Sequence, residues 1–313
     1  MTSSTTDHSI RGLLRGGISR LRGGNIPSFI RVAELLLLHA TGRNRTWLYA
    51  HPEELVTGEV VARFELLLER RLSGVPTQHL TGKQEFWGME FEVTPDVLIP
   101  RPETEHLVEV TLDRLAVREV RAGRPARLMG ENLSIVDVGT GSGCIAIALS
   151  KELPGAALFA TDLSTAALSV AHRNASRLGY SERIQFAKCD LLSKFLDQAA
   201  QVAREPIRFD VVVSNPPYIG RKETDSLPIE VSEHEPHMAL FGGEEGHELY
   251  ANLVIQAGRL LKPGGLLVLE LGHASLPAVR PLLETQEWKA VGVTNDLAGI
   301  PRVISAERAE RLA

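Results

Sequence analysis

Two short stretches of this 313-residue chain hold residue types that could build a reaction centre. The first is Asp137-Val138-Gly139-Thr140-Gly141-Ser142-Gly143, which leads into an apolar helical run at 144–153. Glycines at that spacing let the backbone turn sharply and let a ligand approach without Cβ atoms in the way, and the helix start that follows offers N–H groups to a polar or anionic group. Asp162 ends the next apolar run, 23 residues after Gly139, where a carboxylate can accept hydrogen bonds from both hydroxyls of a ribose. A nucleoside-containing cofactor is therefore expected, and both a nicotinamide dinucleotide and S-adenosyl-L-methionine suit the pattern. Asp190, ending the third run, is placed to meet an adenine amino group, with Leu191 packing on the base.

The second stretch is Asn215-Pro216-Pro217-Tyr218, directly after the apolar run 210–214. Two consecutive prolines lock φ and donate no hydrogen bonds, so nearby carbonyls are left to act as acceptors. A planar NH2 group suits such a place. The Asn215 side-chain oxygen and the Pro216 carbonyl can take its two hydrogens while the Tyr218 ring covers one face. An amide nitrogen is a poor nucleophile, so catalysis would rest on positioning and on acceptors that strengthen as positive charge develops on nitrogen. No catalytic base is required.

These stretches need strands and helices to hold them. Short runs at 133–138, 157–161, 184–188, 209–214 and 265–271 are rich in Val, Ile, Leu and Phe and suit a buried parallel sheet, with room for a helix in each gap. Runs at 290–293 and 302–306 are separated only by a loop, which requires an antiparallel pair and brings the total to a seven-stranded, mostly parallel sheet in an α/β domain. In a doubly wound sheet the fourth strand lies beside the first, so residues 215–218 open on the crevice where the strand order reverses. Earlier in the chain, Phe29, Val32, Ala33, Leu36 and Leu37, then Val60, Phe64, Leu67 and Leu68, keep helical spacing and predict a helical bundle. Between the helical bundle and the sheet, 85–99 alternates with period two, and a hairpin turning at Thr94-Pro95-Asp96 is expected. The domains expected are 1–84, helical, 85–102, a β-hairpin linker, and 103–313, carrying the cofactor loop.

Composition narrows the classes. Lys and Arg number 34 against 39 Asp and Glu, a net charge of −5 that disfavours a general nucleic-acid binder, although seven arginines in the first 45 residues face only Asp7 and Glu34. No apolar run approaches the ~20 residues of a membrane span, and the first 22 residues show no secretory pattern, so a cytoplasmic protein is expected. Cys144 and Cys189 form no CxxC pair, and His234 and His237 flank Pro236 with no third ligand close by. Neither a disulfide framework nor a metal site is expected.

The GxGxG spacing, in place of the dinucleotide GxGxxG, and Leu260-Leu261-Lys262-Pro263-Gly264-Gly265 resemble class I, Rossmann-like methyltransferases. Over nearly its whole length the chain resembles the HemK-type (PrmC) release factor glutamine methyltransferases. The resemblance is carried by Glu85-Phe86-Trp87-Gly88, Leu98-Ile99-Pro100-Arg101-Pro102-Glu103-Thr104-Glu105, the loop from Asp137, Asn215-Pro216-Pro217-Tyr218, and Asp296-Leu297-Ala298-Gly299-Ile300-Pro301-Arg302. It implies that Gly139, Thr140, Gly141, Ser142, Gly143, Asp162, Leu191 and Asn215 contact S-adenosyl-L-methionine, leaving S-adenosyl-L-homocysteine as product. It also implies that Asn215, Pro216, Pro217 and Tyr218 hold the glutamine of a Gly-Gly-Gln motif, and that the N-terminal helices dock a bacterial class 1 peptide chain release factor. The chain departs from the family at Val32-Ala33-Glu34, where Asp-Ala-Glu is usual, and at Leu191, which is often aromatic. The tetrapeptide is shared with ribosomal-protein glutamine methyltransferases and with enzymes methylating exocyclic amines of nucleic acids, and these remain alternatives. So does an adaptor that binds the nucleoside but has lost the chemistry.

Overall fold

The computed structural model describes residues 7–121, 123, 131–201 and 207–310, so the expected outer limits at 1 and 313 lie outside the described residues. The chain divides into two compact units: residues 1–83 with 228–234, and residues 84–227 with 235–313.

The first unit is built from α1 (Ile10–Gly23), α2 (Phe29–Thr41), α3 (Arg45–Ala50), α4 (Gly58–Leu72) and α5 (Thr77–Thr81). Side chains start three of them: Ser9, Asn44 and Thr57 accept from the backbone N–H of Gly12, Trp47 and Val60. Gly42 and Gly82, both left-handed, end α2 and α5. Apolar stripes at helical spacing meet in one core that includes Leu21, Leu36, Leu37, Phe64 and Leu68. Residues 228–234 belong to this unit through the ion pair of the buried Arg71 with Glu230 at 2.6 Å.

The second unit opens with a hairpin, β1 (Lys83–Phe86) and β2 (Met89–Glu92). Its turn is at Trp87-Gly88 and not, as expected, at Thr94-Pro95-Asp96, which instead bends the chain after β2. Trp87 (φ 54°) and Gly88 (φ 66°) take the consecutive positive φ values that match the twist of a two-residue hairpin. Glu105 accepts the Trp87 N–H at 2.6 Å, and Glu152 accepts the indole N–H at 2.8 Å, which holds a conformation unusual for tryptophan.

The rest alternates: α6 (Glu105–Arg121), β3 (Ser134–Val138), α7 (Cys144–Glu152), β4 (Ala157–Asp162), α8 (Thr165–Leu178), β5 (Ile184–Lys188), α9 (Ser193–Gln201) and β6 (Phe209–Ser214). Then follow β7 (Ile219–Gly220), α10 (Ile229–Ser232), α11 (His237–Leu240), β8 (Phe241–Gly243), α12 (Glu248–Leu260), β9 (Leu261–Glu270), α13 (Leu276–Leu283), β10 (Trp288–Asn295) and β11 (Pro301–Arg308). Seven strands form one sheet in the order β10-β11-β9-β6-β3-β4-β5, with β11 antiparallel to both of its neighbours and the other pairings parallel. Successive residues along a strand feed opposite faces. Ile135, Val211, Val213, Leu266 and Val268 pack with α6, α7 and α8, while Val136, Val212, Leu267 and Leu269 pack with α9, α12 and α13. The fifth strand begins four residues earlier than its apolar run, at Leu261, and the small parallel pair β7–β8 was not expected. No helix among the described residues is long and apolar enough to cross a membrane.

Candidate active site

The strand order reverses between β3 and β6, and the crevice there is framed by the C-terminal ends of β3, β4 and β6. The Ser214 hydroxyl donates to the Val138 carbonyl at 2.7 Å, tying the ends of β6 and β3 together. A cavity of about 300 Å³ lies at this end, within the range of small-molecule sites. Its lining includes Pro95, Asp96, Val97 and Leu98 from the segment after β2, and Pro236, Met238, Ala239 and Leu249 from the segment after β7. Gly139, Gly141, Asp162, Asp190, Leu191, Asn215 and Pro217 also line it, so seven of the expected residues meet around one space. Thr140, Ser142, Gly143, Pro216 and Tyr218 are not among the lining residues.

The glycine loop is locked from beneath. The N–H groups of Gly139 and Thr140 both donate to the Thr161 carbonyl at 2.9 Å, Gly143 donates to the Thr140 carbonyl, and Gly141 donates to Asp162 Oδ2 at 2.9 Å. The expected row of available loop N–H groups is therefore already spent at these four positions, three of them on the end of β4 and one within the loop. Gly139 and Gly141 adopt φ of 73° and 54°, the left-handed region that calls for glycine, although a Cβ on either would meet nothing within 4 Å. Asp137, fully buried below, accepts from the Thr140 hydroxyl at 2.6 Å and the Ala146 N–H at 3.2 Å. Burial nevertheless pushes its carboxyl up to about 7. Asn174 on α8, also fully buried, donates to the carbonyls of Ser142 and Glu92 and accepts the Glu92 N–H, so one side chain joins the loop to the hairpin.

Asp162 accepts one N–H on each oxygen, from Gly141 at 2.9 Å and Ser164 at 2.8 Å. A carboxylate has about four acceptor positions, of which these two bonds take two. Partial burial raises its pKa against the pull of those bonds. Asp190 is exposed and lies two residues beyond the end of β5, not within it. Leu191 sits at φ 50°, with its carbonyl accepting from the Thr161 hydroxyl at 2.9 Å.

In the tetrapeptide, Asn215 Nδ2 donates to Thr104 Oγ1 at 3.1 Å, which fixes the carboxamide so that its oxygen is free to accept. Thr104 is buried in the 3₁₀ turn Pro102–Thr104, and its contact with Asn215 crosses 111 residues of sequence. Pro216 is buried. The Tyr218 ring packs on the end of β9, where a Cβ on Gly272 would come within 2.8 Å of it, and burial raises its hydroxyl pKa. The β7–β8 pair clamps this turn: a Cβ on Gly242 would lie 2.3 Å from the Pro217 oxygen, and one on Gly246 would lie 2.4 Å from the Tyr218 oxygen. Among the described residues there is no group of three His, Cys, Asp or Glu that could hold a metal ion.

Comparison with known proteins places this geometry in a family. Residues 12–82 match the PrmC N-terminal domain and residues 126–231 the methyltransferase small domain. A release factor glutamine methyltransferase of Koribacter versatilis is 42% identical over 92% of this chain and 94% of its own length. Proteins of the same name from Chlorobaculum tepidum and Bradyrhizobium diazoefficiens are 43% identical over 87% of the chain and 88% of theirs, and 38% identical over 97% and 96%. The solved hMettl16 catalytic domain, in complex with a 3'UTR hairpin, aligns at a TM-score of 0.53 with 16% identity, covering 79% of this chain and 84% of that one, which is a likeness of fold.

Proposed function

The chain belongs to the release factor glutamine methyltransferases, S-adenosyl-L-methionine-dependent enzymes, and from that premise we propose that it methylates the side-chain nitrogen, N5, of the glutamine in the Gly-Gly-Gln motif of bacterial class 1 peptide chain release factors in the cytoplasm, without a metal. The observation that carries this reading is the Asn215 carboxamide, held through its nitrogen by Thr104 beside a cavity that also presents Asp162 and the glycine loop.

The cofactor supplies an electrophilic methyl group on a sulfonium. Two acceptor positions on Asp162 suit a ribose diol, Asp190 and Leu191 suit the adenine, and Gly139, Thr140, Gly141, Ser142 and Gly143 form the turn under the cofactor. Asn215 Oδ1 and the Pro216 carbonyl accept the two hydrogens of the glutamine NH2, Pro217 stiffens the turn, and the Tyr218 ring, outside the cavity lining and packed against Gly272, backs that turn in place of covering the amide. Both acceptors gain strength as the nitrogen becomes positive, so the site favours the transition state over the bound amide. Residues 1–84 would select the protein substrate, 85–102 link it, and 103–313 carry the chemistry.

Asn215→Ala should lower kcat roughly a hundredfold to a thousandfold while S-adenosyl-L-methionine affinity stays close to normal, as for removal of one preorganised hydrogen-bonding group. The assay supplies labelled cofactor with a purified release factor, the same factor with its glutamine replaced, a ribosomal protein, tRNA or DNA. Label is expected only on the unsubstituted release factor. Label on the replaced form, the ribosomal protein or nucleic acid, or normal turnover by Asn215→Ala, would reject the reading.

A further inference from the structure

Arg101 and Glu235 stand 134 residues apart in sequence and meet at 2.6 Å, with Arg101 Nη2 donating to Glu235 Oε1. The Glu235 side chain is 1% exposed and that of Arg101 33%. Burying a carboxylate to that degree is costly, and a guanidinium held at this distance is part of what offsets the cost. Neither side chain lines the cavity, yet each adjoins a stretch that does: 95–98 precede Arg101, and Pro236, Met238 and Ala239 follow Glu235.

The backbone at Arg101 is stiff. Pro100 and Pro102 flank it, and the residue before a proline is driven to extended backbone, as Arg101 is at φ −92° and ψ 144°. Its carbonyl accepts the Thr104 N–H at 3.1 Å, which closes the 3₁₀ turn Pro102–Thr104. Thr104 Oγ1 accepts from Asn215 Nδ2, also at 3.1 Å. An unbroken path of hydrogen bonds and one arginine side chain thus leads from the buried Glu235 carboxylate to the carboxamide.

We propose that Arg101 and Glu235 are positioning residues for methyl transfer. Their ion pair anchors the stretch 100–104, and that stretch presents the Thr104 hydroxyl that orients the Asn215 carboxamide. This rests on the reading that Asn215 holds the acceptor amide. The attacking nitrogen, the methyl carbon and the sulfur must lie in line, and a misplacement of about 1 Å can cost a hundredfold in rate. A link outside the cavity therefore governs kcat without touching either substrate.

The test measures release-factor methylation by the full chain, with cofactor affinity followed by calorimetry. Arg101→Ala should lower kcat about tenfold to a hundredfold. Glu235→Gln, which trades a charge-assisted bond for a neutral one of the same shape, should lower it about threefold to tenfold. The cofactor dissociation constant and the release-factor KM should each change less than about threefold. Arg101→Lys, which keeps the cation, should fall between Arg101→Ala and wild type. Thr104→Val alone should slow the reaction as much as Arg101→Ala does. Because these residues act through one link, adding Arg101→Ala or Glu235→Gln to Thr104→Val should cost less than about twofold more. Losses that multiply, or a cofactor affinity that falls in step with kcat, would mean that the pair supports the fold or the cavity and would overturn the proposal. If Arg101→Ala does not fold, Glu235→Gln combined with Thr104→Val decides. A slowed Asn215→Ala beside wild-type kcat in Arg101→Ala and Glu235→Gln overturns this proposal alone. An Asn215→Ala that turns over normally overturns the acceptor-site reading and the proposal with it.

Discussion

Asp162 does two things with one carboxylate: it pins the Gly141 and Ser164 N–H groups and keeps two acceptor positions for a ligand. Asp162→Ala removes both, so S-adenosyl-L-methionine affinity should fall at least tenfold, given about 1.5 to 3 kcal/mol for a charge-assisted bond. Unchanged affinity in a calorimetric titration would take Asp162 out of the ribose site. Asp137 beneath it predicts a pH effect of definite sign. Its carboxyl rises from 3.8 unfolded to about 7 folded because burial outweighs the bonds from Thr140 and Ala146. The native state therefore holds a proton that the unfolded chain has released between about pH 4 and 7, so this contribution to stability is complete below about pH 4 and is lost as pH rises through 7. Asp137→Asn should lose less stability than wild type between pH 5 and pH 8 in chemical denaturation. Equal losses would mean that Asp137 does not titrate in that window.

At the scale of elements, the tetrapeptide is held by a clamp that has no side chains to announce it. Gly242 in β8 approaches the Pro217 carbonyl so closely that an added Cβ would sit 2.3 Å from its oxygen and 2.5 Å from that of Gly246. Neither is the end of a flexible side chain, so Gly242→Ala must part β7 from β8 or push the turn. We expect kcat to fall at least tenfold and stability by about 1 to 3 kcal/mol; wild-type kinetics would show that the clamp does not set the turn. Val/Ile/Leu runs of strand length, separated by helix-length gaps, specify a sheet because only buried parallel strands use such runs, and the short 295–301 loop could only join antiparallel strands. The glycine loop, Asp162 and Asn215 were legible for the same local reason: strand, turn and helix follow one another in sequence. The hairpin turn was misplaced because Trp87-Gly88 is a positive-φ pair without the usual Asn or Asp, whereas Thr94-Pro95-Asp96 carries turn residues but bends an irregular segment. Thr104, Asn174 and Gly242 were not assigned to the site because their partners lie far away in the chain. Their work appears only once the topology has brought those partners in.

At the scale of the whole molecule, each unit owns its core. The clusters that bury the sheet's two faces contain no residue before Phe86, and the helical cluster contains none after Leu80 among its buried members. Removing residues 1–83 thus deletes one complete core and leaves the others whole, although Ile229 and Glu230 lose the packing of Gly74 and the pairing of Arg71. A chain starting at Gln84 should keep S-adenosyl-L-methionine affinity within about threefold, because every residue lining the cavity lies at Pro95 or beyond. Its methylation of an intact release factor should collapse. The proposed role of residues 1–84 is to dock the folded substrate, and the binding energy of parts remote from the reacting atom is what positions that atom. Folding and docking are separated by a second substrate, a short peptide containing Gly-Gly-Gln, which lacks the rest of the folded release factor that the helices are proposed to hold. On that peptide the full and shortened chains should be equally slow. A shortened chain that methylates the intact release factor as fast as the full one would remove substrate selection from the helices, and one that fails on the peptide as well would show that residues 1–83 support the catalytic unit itself.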